Sequence, residues 1–147
     1  MPVEYGALAD AEIAAAATLW ADAGLVRPWN DPHADARRAL AGPASTIIAA
    51  RCADRLVGTV MTGHDGHRGW AYYLAVAADY QRQGIAFTLM TAAEDWCAAR
   101  GMPRLNLMVR AGNAGVLGFY AAQGYRQSDV LVLQKNLPAA TNAKVAR

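Results

Sequence analysis

Hydrophobic and polar positions recur at two different periods along the chain, and the change of period separates its elements. Residues 46–51, 56–62 and 70–76 are short runs rich in β-branched, aromatic and aliphatic side chains, each bounded by turn residues. They predict three strands. Ala53 and Asp54 suit a tight turn between the first two, and a longer Gly- and His-containing connection, 63–69, precedes the third, so antiparallel pairing is expected. From Gly84 to Arg100 the spacing lengthens. Ile85, Leu89, Ala93, Trp96 and Arg100 recur every three or four positions, with Glu94 and Asp95 off that stripe. This pattern predicts an amphipathic helix, ended by Gly101 and Pro103.

Residues 3–5 can form a short first strand. Asp10 opens an Ala-rich helix to about residue 23, with Gly24 as its stop. A loop over 25–32 carries two prolines, and Asp31 followed by Pro32 reads as an N-cap with proline at the first helical position. That helix runs to about Leu40, before Gly42 and Pro43 break the chain. Beyond the long helix, 105–109 predicts a strand and 113–123 a helix with Asn113 at its N-cap and Gly124 at the left-handed stop. A last strand is expected at 130–133, with room for a short one at 125–127.

The expected order is β-α-α-β-β-β-α-β-α-β, with a right-handed parallel crossover over 70–109. The fold class is α/β, of the α+β kind: a mixed central sheet with antiparallel N-terminal strands and a central parallel β-α-β crossover. Residues 1–137 read as one domain and 138–147 as a flexible tail.

Composition narrows the function classes. With 147 residues, 54% of them hydrophobic and 18% charged, the chain can bury a core, which excludes a disordered or fibrous class. Its 14 basic residues are scattered and the net charge is +2, so a dedicated nucleic-acid surface is not expected. Cys52 and Cys97 fall in apolar stretches and read as small core side chains. The start shows no basic region followed by an apolar one, and no run approaches the roughly 18 apolar residues of a membrane span. A cytoplasmic location without a membrane partner is the expectation.

The most informative stretch is Leu74, Ala75 and Val76, a turn, and then Gln81, Arg82, Gln83, Gly84, Ile85, Ala86 and Phe87. A strand here feeds the start of a long helix, whose first amides have no internal partner and whose dipole is positive at that end. Such a terminus suits a phosphate. Gly84 removes a Cβ that would hold a pyrophosphate off the backbone, although the same glycine can simply serve a tight turn. Neither a G-x-G-x-x-G pattern nor a Gly-Lys-Ser/Thr is present. A second signal is independent. Asn113 and Tyr120 lie seven residues apart on one predicted helix and share a face. A phenol stays protonated at neutral pH and can donate to a departing thiolate; the alternative is an aromatic that fills a core gap.

Together, Gln81-x-x-Gly84-x-Ala86 after the strand, and Asn113 to Tyr120 followed by Gly124-Tyr125, resemble the paired motifs of the GCN5-related N-acetyltransferase (GNAT) superfamily. Residues 27–32, 66–69 and 71–74 look like its YpeA-type branch. The resemblance implies helices on both sheet faces, acetyl-CoA as acyl donor, and direct transfer to a small-molecule or protein amine. It also implies roles by position. Leu74 and Val76 would pair with the pantetheine arm through their backbone, and the Val76 amide would polarise the thioester. Amides from Arg82 to Phe87 would hold the pyrophosphate, Asn113 would contact the cofactor arm, and Tyr120 would be the general acid. Trp29 and Asn30, in the loop that often roofs the acceptor site, and Tyr72 are candidate substrate contacts; Trp29 reads equally as core. A homodimer is left open.

The base is where the sequence departs from the pattern. Met108 stands where the ribosomal-protein branch keeps a glutamate, and Tyr72 and Tyr73 stand where the superfamily often has a strand carboxylate. His64, Asp65, His67 and Asp129 are the remaining candidates, beside a water relay. The spacing of His64 and His67 fits a polar turn better than a metal site, so no metal is expected.

Overall fold

The computed structural model describes residues 2–138, which fall into two compact units, one up to Gly112 and one from Asn113. In the first, β1 (Val3–Ala7), β2 (Ser45–Cys52), β3 (Arg55–His64), β4 (Gly69–Val76) and β5 (Leu105–Leu107) lie in that order in one sheet. β1 to β4 pair antiparallel, and β4 and β5 pair parallel. Helices α1 (Ile13–Asp22) and α2 (Pro32–Ala41) link β1 to β2, and α3 (Ile85–Ala99) links β4 to β5. The mixed sheet and its parallel crossover are those expected.

Local chemistry explains several boundaries. Ala53 adopts φ 53° in the two-residue turn between β2 and β3. The Asp31 carboxylate accepts the Ala34 amide at 3.1 Å and caps α2. The first helix starts later than its composition suggests. Asp10–Glu12 is a 3-10 turn, in which Glu12 Oε1 accepts the Ala9 amide at 2.9 Å and the Glu12 carboxylate binds Arg51 of β2.

β3 shows how the helices divide between the two faces. Thr59 and Thr62 are three positions apart, so their side chains leave opposite sides of the strand. Trp20 Nε1 of α1 donates to Thr59 Oγ1 at 2.8 Å, whereas Thr62 Oγ1 lies 3.4 Å from Cys97 Sγ of α3. α1 and α2 therefore cover one face with a core of Ile13, Ala16, Leu19, Trp20, Ala36 and Ala39 against Ile47, Ala49 and Ala75. Burying a side chain such as Trp20 contributes about 3–5 kcal/mol relative to alanine.

α3 covers the other face, and two glycines set how closely. A Cβ on Gly69 would stand 2.5 Å from Cys97 Sγ, and one on Gly58 would stand 3.1 Å from Leu89 Cδ1 and 3.2 Å from Ile85 Cγ2. Both cysteines are buried, as their apolar settings imply.

The second unit holds α4 (Ala114–Ala121). Gly124, at φ 89°, ends it, and the Tyr125 amide reaches back to Tyr120 O at 3.1 Å. The strands expected at 125–127 and 130–133 do not form. Val130, Leu131, Val132 and Leu133 are between 60% and 91% exposed. Strand propensity expresses packing against a neighbouring strand, and none pairs with this run among the described residues. β5 likewise stops at Leu107 rather than 109. All of the expected tail but Pro138 lies outside the described residues. Among those residues no helix is long and apolar enough to cross a membrane.

Candidate active site

A break in the β3–β4 ladder shapes the site. Thr59 pairs with Ala75 and Met61 with Tyr72, so Val60 stands opposite both Tyr73 and Leu74. This is a β-bulge, with Tyr73 at φ 51°. Its effect on the strand is a change of parity. Near the start of β4 the Gly69 amide donates to Arg104 O at 2.8 Å, so Gly69 and Ala71 direct their backbone groups toward β5. At the other end the Ala77 amide donates to Val57 O at 2.8 Å. By alternation Ala75 and Ala77 face β3, and Leu74 and Val76 face away from it. β5 pairs with β4 only as far as Ala71. Leu74 and Val76 thus present backbone groups to an edge that no strand occupies among the described residues. Ala75, grouped with them on sequence, commits its backbone to β3 and its methyl to the α1–α2 core.

The turn after β4 is held at both ends. Gln81 Nε2 donates to Val76 O at 3.1 Å, from the open side. Arg55, at the start of β3, grips Asp79 with two hydrogen bonds of 2.7 and 3.0 Å and lies over the Tyr80 ring. The Arg55 bonds hold the Asp79 carboxyl below its ordinary range. The chain then curls through two left-handed residues, Arg82 at φ 64° and Gly84 at φ 81°. A non-glycine residue in that region costs about 1–2 kcal/mol.

The first internal backbone bond of α3 runs from the Thr88 amide to Gly84 O at 3.0 Å, which leaves Ile85, Ala86 and Phe87 ahead of the ladder. Arg82, Gln83 and Gly84 are exposed, and nothing stands within 4 Å of where a Gly84 Cβ would be. The arrangement is an exposed turn leading into a helix start whose first amides have no internal partner, suited to a diphosphate.

Asn113 and Tyr120 belong to the second unit. Asn113 occupies the N-cap position of α4, but its side chain makes no capping bond. Tyr120 packs edge-on against Phe119 and Tyr125, with centroids 5.1 and 5.7 Å away. Burial pushes its phenol above the ordinary value of 10.0.

Trp29 is 71% exposed, so it is not the core residue that its type allows. Asn30 bonds through its amide to Arg27 O at 2.9 Å. Tyr72 is partly exposed and stacks with Trp70, and burial, then the Asp65 charge, raises its phenol. Met108 is half-exposed.

His64 ends β3, and Asp65 and His67 lie in the turn before β4, about 23 Å of strand away from Val76. Asp65 Oδ1 accepts the amides of His67 and Arg68, which hold its carboxyl low and make it a weak base. Among the described residues no three His, Cys, Asp or Glu side chains gather for a metal.

Sequence reading missed the partners of this site. Arg55 and Asp79 are 24 residues apart, and Tyr73, Thr59 and Asp35 meet only through the fold. No local pattern marks either set.

Comparison with known proteins shows the family and the fold. The sequence profile of the Acetyltransferase (GNAT) family matches residues 12–125. An acetyltransferase of Sodalis glossinidius is 46% identical over 121 residues, which covers 82% of this chain and 85% of that protein. Among solved structures, aminoglycoside acetyltransferase AAC(6')-Iy in complex with a CoA bisubstrate analogue superposes with a TM-score of 0.79 at 12% identity, covering 94% of this chain and all of that one. A ribosomal-protein-alanine N-acetyltransferase from Brucella melitensis superposes with a TM-score of 0.73 at 21% identity, covering 93% of this chain and all of that one. At those identities the two structures speak for the fold alone. The family profile and the Sodalis relative go further: the chain belongs to the GNAT family of acyl-CoA-dependent N-acetyltransferases.

Proposed function

We propose that the protein transfers an acetyl group from acetyl-CoA to a primary amine, on a small molecule or a protein, by direct attack within a ternary complex. The observation that carries the donor assignment is the pairing of an open strand edge at Leu74 and Val76 with the free amides that start α3. A pantetheine arm is an extended chain with amide groups that an unpaired edge can bind, and the diphosphate attached to it suits the amides at the start of α3. Arg82 adds a positive charge there, and Asn113 contacts the arm. Trp29, Asn30 and Tyr72 contact the acceptor. Residues 1–137 act as one domain in this scheme, of the YpeA-type branch.

In the reaction the neutral amine attacks the thioester carbonyl carbon, the carbon–sulfur bond breaks, and the thiolate takes a proton from the Tyr120 phenol. The Val76 amide stabilises the charge on the carbonyl oxygen. The amine loses its own proton through water, because Met108 offers no base. That same residue favours a second reading, an acyl-CoA-binding module without turnover.

Release of free thiol from acetyl-CoA, followed across a panel of amines, tests both. Tyr120→Phe is expected to lower turnover by about 100-fold with acetyl-CoA affinity retained. A wild-type protein that binds acetyl-CoA yet releases thiol with no amine supports the module. Thermal stabilisation by ATP or NAD, but not by acetyl-CoA, would sink both.

A further inference from the structure

Tyr73 combines a strained backbone with an unusually complete set of attachments. A bulky side chain at positive φ is held only where its surroundings over-determine it. Three elements hold this one. Its ring stacks on the buried Trp20 of α1, with centroids 4.0 Å apart and planes 15° from parallel. Its hydroxyl donates to Asp35 Oδ2 of α2 at 2.7 Å, and the other oxygen of Asp35 takes a bond from Arg38. Its carbonyl accepts the Thr59 hydroxyl of β3 at 2.9 Å, and the same hydroxyl oxygen takes the Trp20 Nε1 proton at 2.8 Å. Side chain and carbonyl are therefore fixed at the one residue where β4 changes parity.

We propose that Trp20, Thr59, Tyr73 and Asp35 form a clamp that maintains the β4 bulge, making Thr59 and Tyr73 positioning residues for the donor-binding amides of Leu74 and Val76. This rests on the donor reading above. An ordinary strand would also pair with β3 over this stretch. It would, however, turn Tyr73 and Ala75 toward the open edge and Leu74 and Val76 toward β3. The clamp thus acts on donor affinity through strand parity, at a distance from the donor.

Hydrogen exchange at the Ala75 and Ala77 amides of the ligand-free full chain, together with calorimetric titration of CoA, tests the clamp. Thr59→Val and Tyr73→Phe are expected to lower protection of these amides and to weaken CoA binding, each by about tenfold or more. Thr59→Ser, which keeps the hydroxyl, restores both. Ile47→Val, a core truncation, leaves both unchanged and controls for lost stability. Retained protection and CoA affinity in Thr59→Val and Tyr73→Phe would overturn the proposal, as would an equal loss in Ile47→Val. Wild-type protein that binds no CoA overturns the donor reading alone, and the exchange pattern still decides whether the clamp sets the strand.

Discussion

Arg55 and Asp79 face each other as a two-pronged ion pair, Nη1 to Oδ2 at 2.7 Å and Nη2 to Oδ1 at 3.0 Å, across 24 residues of sequence. Both side chains are more than half exposed, so the pair adds little to global stability. Its effect is local, because Asp79 sits in the short turn that leads into the donor loop. Arg55→Met and Asp79→Asn should each weaken CoA binding by a few-fold with little change in melting temperature. The double variant should be no worse than either single one, since both remove the same contact. Calorimetry on the three variants checks this.

Gly84 offers a matched comparison with Gly24. Each has positive φ, 81° and 74°, and at both sites the space within 4 Å of where a Cβ would stand is empty. Alanine at either site should cost about 1–2 kcal/mol of backbone strain. Only Gly84→Ala places a methyl group beside the leading amides of α3. It should weaken CoA binding by about tenfold or more, whereas Gly24→Ala leaves affinity unchanged. Equal CoA affinity in the two variants would remove the diphosphate from this loop.

Glu12 and Arg51 set a pH dependence. The Arg51 hydrogen bonds hold the Glu12 carboxyl below its ordinary value of 4.5, against the opposing effect of burial. A carboxyl lowered in the folded state contributes stability above its unfolded value and loses it as pH falls through the folded one. Glu12→Gln should therefore destabilise the protein at neutral pH by about 1 kcal/mol or less and flatten the fall in stability below pH 4.5. Denaturant titrations across that range read the difference. An undiminished slope would assign the acid sensitivity elsewhere.

The parts of the fold that follow a period were legible in the sequence. β2, β3 and β4 showed as apolar runs between turn residues, and α3 as a stripe every three or four positions, because burial on one or both sides imposes those spacings. Asp31 and Gly124 marked helix ends through the chemistry of caps. The bulge at Tyr73 was not legible, since left-handed backbone is signalled by glycine or asparagine and here falls on tyrosine. The donor loop could be read from Gly84, but the two tethers on its turn differed. Gln81 lies within the motif, whereas Arg55 arrives from another strand. Residues 130–133 misled for the opposite reason. Their β-branched and aliphatic pattern is real, yet a strand exists only where a neighbour completes its hydrogen bonds.

The contacts of α3 at Gly58 and Gly69 bear on how a ligand would be received. Leu89 and Ile85 rest on one glycine near the front of the helix and Cys97 on the other near its back. With no methyl group between helix and strands, the helix can neither slide nor tilt without losing close contact at one of these two points. The placement of the leading amides of α3 against the sheet is thus fixed by the interior of the protein before any ligand arrives. An occupant of this helix start would spend little of its interaction energy on ordering it, and its affinity would report chiefly on how well its own length and charge fit.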